Sequence, residues 1–385
     1  MNVIPQHRNG VLKITLSTSS VLAMATVLVL AVITTQSAQA QTFTTLRKFD
    51  SSDGSGPFAG LVQATDGNLY GTTENGGLPY GVGTVFRISP DGTFKTVYNF
   101  GAEDNTGYYP NAGLVQATNG NFFGTTSSGG TPVMNTDYGT VFKITPEGTL
   151  TTLHSFSHTD GGVPLGALIQ ASDGNLYGTT NEGGPNGYGT VFKITLSGTL
   201  TTLNSFNNTD GANPFGALIQ ASDGNLYGTT LEGGSSTNSD GTIFKITTGG
   251  TLTSLYSFCL QTHCPDGDLP YAGLVQDTNG NFYGTTDGGG STKGSDGTVF
   301  SLSVDLGPFV ETQTTSGKVG AAVKILGNDL TGATSVTFNG TAATFTVVST
   351  SEITTEVPTG ATTGFIEVAT PGGTLNSNKS FTVKP

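Results

Sequence analysis
Five near-copies of one unit, each about fifty residues long, run through residues 42–303 and leave this chain few ways to fold. The segment DGNLYGTT or a close variant begins at Asp66, Asn119, Asp173, Asp223 and Asn279, at steps of 53, 54, 50 and 56 residues. A second segment, GTVFKI or a variant, begins at Gly83, Gly139, Gly189, Gly241 and Gly297, at steps of 56, 50, 52 and 56. Self-similarity at this period marks units that cannot bury an apolar face alone and must stack on their neighbours, as in a propeller or an array.

Each unit reads as four short strands. In one copy, residues 149–156 (TLTTLHSF) alternate apolar and polar side chains, as a half-buried strand does. A loop rich in Asp, Gly and Pro follows, and residues 166–171 (GALIQA) form a mostly apolar strand. Asp173, Gly174 and Asn175 make a hairpin turn, residues 175–180 a third strand and residues 189–195 a fourth. Nothing after residue 40 has a helical period, so the expected class is all-β. Four antiparallel strands per unit fit a propeller blade. The array opens with a TLTTLHSF-type strand (TFTTLRKF, residues 42–49) and ends with a GTVFKI-type strand, residues 297–302. In blade order these are the fourth and the third strand. The expectation is therefore a five-bladed β-propeller closed by the N-terminal strand, which hides the edges an open array exposes. An open β-solenoid is the alternative.

The GxLVQAxDGNLYGTTxxGG and GTVFKI segments resemble the tandem repeats called the GloVer (Gloeobacter–Verrucomicrobia) type, found in exported bacterial proteins. The resemblance covers residues 42–303 and implies a surface or secreted location, with little said about chemistry. The periodicity changes after Leu306, Gly307 and Pro308, and residues 308–385 read as about seven short strands with turns. Their V-x-F-N-G, V-P-x-G and G-x-I-x-V segments resemble an IPT/TIG domain, which implies an immunoglobulin-like β-sandwich acting as a spacer or an adhesive module. No Cys–Trp–Cys core is present, so an antibody-type domain is not expected. The expected layout is a signal at 1–40, the propeller at 41–305 and the sandwich at 306–385.

Arg8 and Lys13 precede an apolar run over residues 21–33 broken only by Thr26, and Ala38, Gln39 and Ala40 form a small-x-small site. These read as a cleaved export signal. The run is shorter than the ~20 residues of a membrane span, so no span is expected after cleavage; an uncleaved anchor is the alternative. The net charge is −13, and no Lys/Arg cluster offsets it, which argues against nucleic acid or an anionic membrane as partner. Cys259 and Cys264, the two cysteines of an exported chain, read as a disulfide closing a short loop. A structural zinc site needs four ligands and only His263 lies near, so neither metal nor cofactor is expected.

Candidate binding residues come from two loops expected on one face. The loops before each unit's apolar strand carry Asp53, Asp104, Asp160, Asp210 and Asp266. The loops after the GTT segment carry Glu74, Glu182, Glu232 and Asp287, with Ser128 in the remaining unit. Together they would form an acidic rim able to hold cations or hydrogen-bond sugars; equally, Asp-Gly pairs form turns without binding anything. After the loop proline stand Phe58, Asn111, Leu165, Phe215 and Tyr271, and the aromatic ones, Phe58, Phe215 and Tyr271, could stack on sugar rings. Gln63, Gln116, Gln170, Gln220 and Gln276 either line a channel or tie neighbouring units together. No catalytic residue is expected: His154 and His158 have no counterparts in the other repeats, no G-x-S-x-G elbow occurs, and Asp277, the one acid replacing a repeated Ala, has no partner base. The residues thus point to a secreted or cell-surface monomer that binds polysaccharide or another surface protein without catalysis. A glycan-cleaving enzyme and a purely structural surface protein are the alternatives.

Overall fold
The computed structural model describes residues 43–385 except 102–105, 131–136, 237–239 and 291–295. The expected signal at 1–40 lies outside these residues. Residues 47–385 form one compact unit, while 43–46 fall in a separate N-terminal unit and carry no strand. Every described regular element is a β-strand, as expected.

The repeats form five consecutive antiparallel sheets, within residues 62–99, 115–155, 169–205, 219–257 and 275–302, with strands in chain order. Sheets 1 to 4 have four strands each. Sheet 3 has Ile169–Gln170, Leu176–Thr180, Thr190–Ile194 and Leu200–Ser205. The first strand is shorter than the GALIQA segment suggests, because Gly166 runs against the backbone of the next repeat and leaves the ladder: a Cβ on it would stand 2.8 Å from the Gly216 carbonyl.

Each sheet is built by devices spelled in the repeat. The turn between first and second strand is an Asx turn. Asp173 accepts bonds from Asn175 N–H at 3.0 Å and from the Asn175 amide at 2.8 Å, and the Tyr177 hydroxyl donates to it at 2.7 Å. Asp66 with Tyr70 and Asp223 with Tyr227 repeat the arrangement. In the second strand, Gly178 makes room for the Phe192 ring and Leu168: a Cβ there would meet them at 2.8 and 2.7 Å. Threonine hydroxyls pair between second and third strands at 2.8–2.9 Å in all five sheets, as Thr180 does with Thr190.

Four hydrophobic clusters join consecutive sheets, 1 to 2 through 4 to 5. Phe156, which follows the fourth strand of sheet 2, packs edge-on against Phe192 of sheet 3 at 5.3 Å, and both are fully buried. The glutamines tie neighbouring repeats: Gln116, Gln170, Gln220 and Gln276 accept from Thr65, Thr118, Ser172 and Ser222 N–H of the preceding repeat at 2.8–2.9 Å.

The closing strand expected at residues 42–49 is not formed over the described residues 43–49. Sheet 5 ends at Thr298–Leu302 with three strands, and residues 43–50 carry none. Phe49 instead packs on Phe86 and Phe94 of sheet 1 at 5.1 and 5.6 Å. No cluster among the described residues joins sheet 5 to sheet 1, so the closed ring is not observed. The physical reason lies at the end of the array. Thr278 N–H is satisfied within its own repeat by Asp277 at 2.8 Å. The Thr278 carbonyl and hydroxyl accept from Phe309 N–H at 2.9 Å and the Asn328 amide at 2.7 Å. The C-terminal region thus takes the Thr278 contacts that the glutamine of a following repeat would make, while Val299 stays exposed.

That region, from residue 309 on, has two four-stranded sheets and one parallel pair, Ser316–Lys318 with Thr382–Lys384. The two sheets share one core, with Val323, Ile325 and Ile353 on one side and Val336, Phe338, Ile366 and Val368 on the other. Alternation along Ala322–Leu326 and Ile366–Thr370 places every second side chain in that core.

Candidate functional site
The two acidic loops of each repeat lie side by side, as expected. Isolated bridges pair them directly: Ser55 with Asn75, Tyr108 with Ser128, Gly162 with Glu182, Ala212 with Glu232 and Asp268 with Gly288. The residue before each loop proline anchors this end. Val163 N–H donates to the Tyr138 carbonyl of the preceding repeat at 2.8 Å, and its carbonyl accepts from Asn181 N–H at 3.0 Å. Tyr109, Asn213 and Leu269 do the same at equivalent places. All four adopt a left-handed backbone, with φ between 53° and 60°. That is costly for a β-branched or bulky side chain. This staple was not foreseen; its only trace in the sequence is the repeated X-Pro.

Most loop aspartates are occupied in holding their own loops. Asp53, Asp160 and Asp210 each accept from the backbone N–H three residues earlier at 2.9 Å, and Asp266 from Cys259 N–H at 3.2 Å. Asp53 is buried and ion-paired with Arg47. Asp160 also bonds His154 Nε2 at 2.9 Å. Burial pushes the Asp160 carboxyl up, but hydrogen bonds from His154 and Ser157 outweigh it and hold it below its ordinary value. Asp104 lies outside the described residues. Glu74 is half-buried and accepts from the Asn75 amide at 2.9 Å, whereas Glu182, Glu232 and Asp287 are exposed.

Two acids the repeat pattern did not single out, Asp240 and Asp268, join Asp266 and Asp287 at the last interface. Burial, then the charges of Asp240, Asp287 and Asp266, push Asp268 above its ordinary value. One oxygen of Asp266 and one of Asp268 are buried without a partner, while the other Asp266 oxygen accepts from Tyr256 at 2.6 Å. Asp268 stands where the other repeats carry Ser55, Tyr108, Gly162 and Ala212, and Asp240 recurs only as Asp296 of the fifth repeat, so periodicity flags neither.

Of the aromatic candidates, Phe58 is 75% exposed, Phe215 37% and Tyr271 42%. Phe215 and Tyr271, on adjacent repeats, meet edge-on at 5.4 Å. Cys259 and Cys264 are disulfide-bonded. Their sulfurs and an Asp240 oxygen are the one trio of potential ligand atoms within 4.8 Å among the described residues, but sulfurs bonded to each other are not thiolate ligands.

The fold and this loop end define an all-β protein of stacked four-stranded repeats. The chain belongs to the Gloeobacter/Verrucomicrobia repeat family, whose pattern matches residues 29–172 and 133–348. No curated protein matches the sequence. Solved structures of similar architecture are distant. A fungal alcohol oxidase in complex with copper is 14% identical, covering 84% of this chain and 75% of its own, with a TM-score of 0.44. An endo-arabinase from Bacteroides thetaiotaomicron is 14% identical, covering 67% and 98%, with a TM-score of 0.35. A periplasmic gluconolactonase of Pseudomonas aeruginosa is 16% identical, covering 77% and 87%, with a TM-score of 0.37. At these levels none bears on the chemistry of this chain.

Proposed function
We propose that this is an exported, non-catalytic binding protein that takes carbohydrate on the loop end of its repeats. The carrying observation is the Phe215–Tyr271 pair, two rings more than a third exposed and in mutual contact. Each stands three residues beyond a loop bridge, at Ala212 with Glu232 and at Asp268 with Gly288. Exposed Glu232 and Asp287 supply acceptors for sugar hydroxyls at the same end. Apolar ring faces beside acceptors are the combination that grips a sugar ring. The remaining rim aspartates act as loop formers.

In this reading the sheets are propeller blades, residues 1–40 are the export signal, and residues 41–305 and 306–385 are the two mature domains. The second is an IPT/TIG-like module that spaces or anchors the first. Export is supported by the disulfide, since such bonds persist outside the cytoplasm. Titration against soluble neutral and acidic polysaccharides tests the reading. Binding abolished in F215A/Y271A supports it, and an absence of binding across the set overturns it. Release of new reducing ends, lost in D268N, would replace it with the glycan-cleaving reading, for which the upward-shifted Asp268 among three other acids is the supporting feature.

A further inference from the structure
The four contacts between consecutive sheets are copies of one interface, and each end of the array displays one half of it. On sheets 2 to 5 the leucine of the leading side (Leu114, Leu168, Leu218, Leu274) is at most 7% exposed, whereas Leu61 on sheet 1 is 52% exposed. On the trailing side, Val85, Val141, Val191 and Ile243 are at most 1% exposed, whereas Val299 on sheet 5 is 81% exposed. Each internal leucine shares a cluster with the valine or isoleucine of the sheet before it.

The polar parts of the interface are split in the same way. Pro110, Pro164, Pro214 and Pro270 are buried, each with Cδ within 3 Å of where a Cβ on Gly83, Gly139, Gly189 or Gly241 would stand. Pro57 is exposed, and no proline lies beside Gly297. The backbone staple that Val163 N–H makes to the Tyr138 carbonyl corresponds in the repeat to the Gly56 N–H at one end of the array and the Asp296 carbonyl at the other. Sheet 5 lacks its fourth strand. Beside its open edge lies a groove of about 350 Å³ lined by Tyr256, Phe258, Val299, Phe300 and Leu302.

We propose that the protein associates head to tail: sheet 1 of one copy packs on sheet 5 of a second, and residues 43–49 of the first supply the fourth strand that sheet 5 lacks. The occupant is a second copy because Leu61 and Pro57 at one end and Val299 and Gly297 at the other are the open halves of the internal interface; of its positions the glutamine tie alone is taken, at Thr278, by the C-terminal region. Residues 42–49 (TFTTLRKF) also carry the pattern of Leu150–Ser155 and its flanks (TLTTLHSF). Phe49 already stands on Phe86 as Phe156 stands on Phe192. In the assembly Phe49 N–H donates to the Gly297 carbonyl of the second copy, as Phe156 N–H does to Gly139 at 3.0 Å within the chain. The C-terminal region engages Thr278 and leaves Val299 open. A heterologous contact of this kind propagates into a ring or a filament. The inference stands apart from carbohydrate binding and departs from the monomer expected from the sequence.

Light scattering coupled to size-exclusion chromatography tests it on the full chain at micromolar concentration. L61D and V299D alter side chains that are already exposed, so each folds as the wild type does, which thermal denaturation checks. The wild type is expected at two or more times the monomer mass, and each variant alone at the monomer mass. An equimolar mixture is expected to give a dimer and nothing larger, because one intact face remains on each partner. A monomeric wild type overturns the proposal, and so does a mixture that stays monomeric. Hydrogen exchange gives a second readout: Phe49 and Val299 amides protected independently of concentration would show closure within one chain and likewise overturn it.

Discussion
Phe49 meets Phe86 edge-on at 5.1 Å with an interplanar angle of 66°, the same geometry as Phe100 on Phe142 (5.3 Å, 67°) and Phe206 on Phe244 (5.2 Å, 68°). A residue ahead of the first sheet therefore occupies the place that, in the next four interfaces, belongs to the end of a preceding sheet. The difference is burial: Phe156 and Phe206 are fully buried, whereas Phe49 is only half-buried. In isolated chains F156A is expected to cost about 3–5 kcal/mol, as loss of a fully buried ring does. F49A should cost less than half of that. Urea denaturation of both variants at low protein concentration measures the contrast, and equal costs would show Phe49 buried in solution.

Gly178 tests how tightly the second strand is packed. A methyl group there would stand 2.7 Å from Leu168 and 2.8 Å from the Phe192 ring. Both neighbours are buried, so neither can swing aside. G178A is expected to destabilise by about 1–3 kcal/mol. At Gly174, whose added Cβ would meet nothing within 4 Å, the left-handed φ of 82° is the only obstacle. G174N should therefore be far milder. Thermal denaturation of the two variants separates crowding from backbone strain.

The stapling residue before the loop proline is Val163 in one repeat and Asn213 in the next, at φ of 53° and 54°. Asparagine tolerates this conformation and a β-branched side chain does not. Asn213 adds a bond from its amide to the Asn181 carbonyl at 3.0 Å. V163N is expected to raise stability by about 1 kcal/mol, read as a higher denaturation midpoint with an unchanged slope. A loss of stability would mean that packing of the Val163 side chain outweighs the strain.

Asp160 and Asp268 should respond to pH in opposite senses. Asp160 is held below its ordinary value, so it contributes stability above that value and loses it as pH falls through the lowered one. Asp268 is held above its ordinary value, so the folded chain binds its proton more tightly and the ionised group costs stability at neutral pH. D268N is expected to raise the melting temperature at pH 7, and the gain should vanish as pH falls below about 4, where both states are protonated. D160N should lower the melting temperature at pH 7, with the difference closing only as pH falls from about 4 through the lowered value of Asp160. Melting curves of the three proteins between pH 3 and 8 check both signs.

The repeat period, the strand order within each sheet, the Asx turns and the adjacency of the two acidic loops were legible in the sequence, because each is set by contacts within one unit or between identical units. The sequence offered two roles for the glutamines, and the structure shows four of them, Gln116, Gln170, Gln220 and Gln276, as ties between repeats. The repeat order led to the expectation that the ends of the array meet through residues 42–49, which the three-stranded sheet 5 does not bear out. That depends on geometry accumulated over four interfaces and on the C-terminal region taking the Thr278 contacts, neither of which is written in any one repeat. The roles of the loop acids were divided for a similar reason. Asp160 and Asp266 occupy equivalent repeat positions, but a neighbouring histidine bonds one, while the other accepts from Tyr256 and, with Asp240 and Asp287, acts on Asp268. Local pattern determines which side chains stand at a loop. Only the packed structure decides which of them find partners, because partners from distant parts of the chain arrive through tertiary contacts that spacing does not encode.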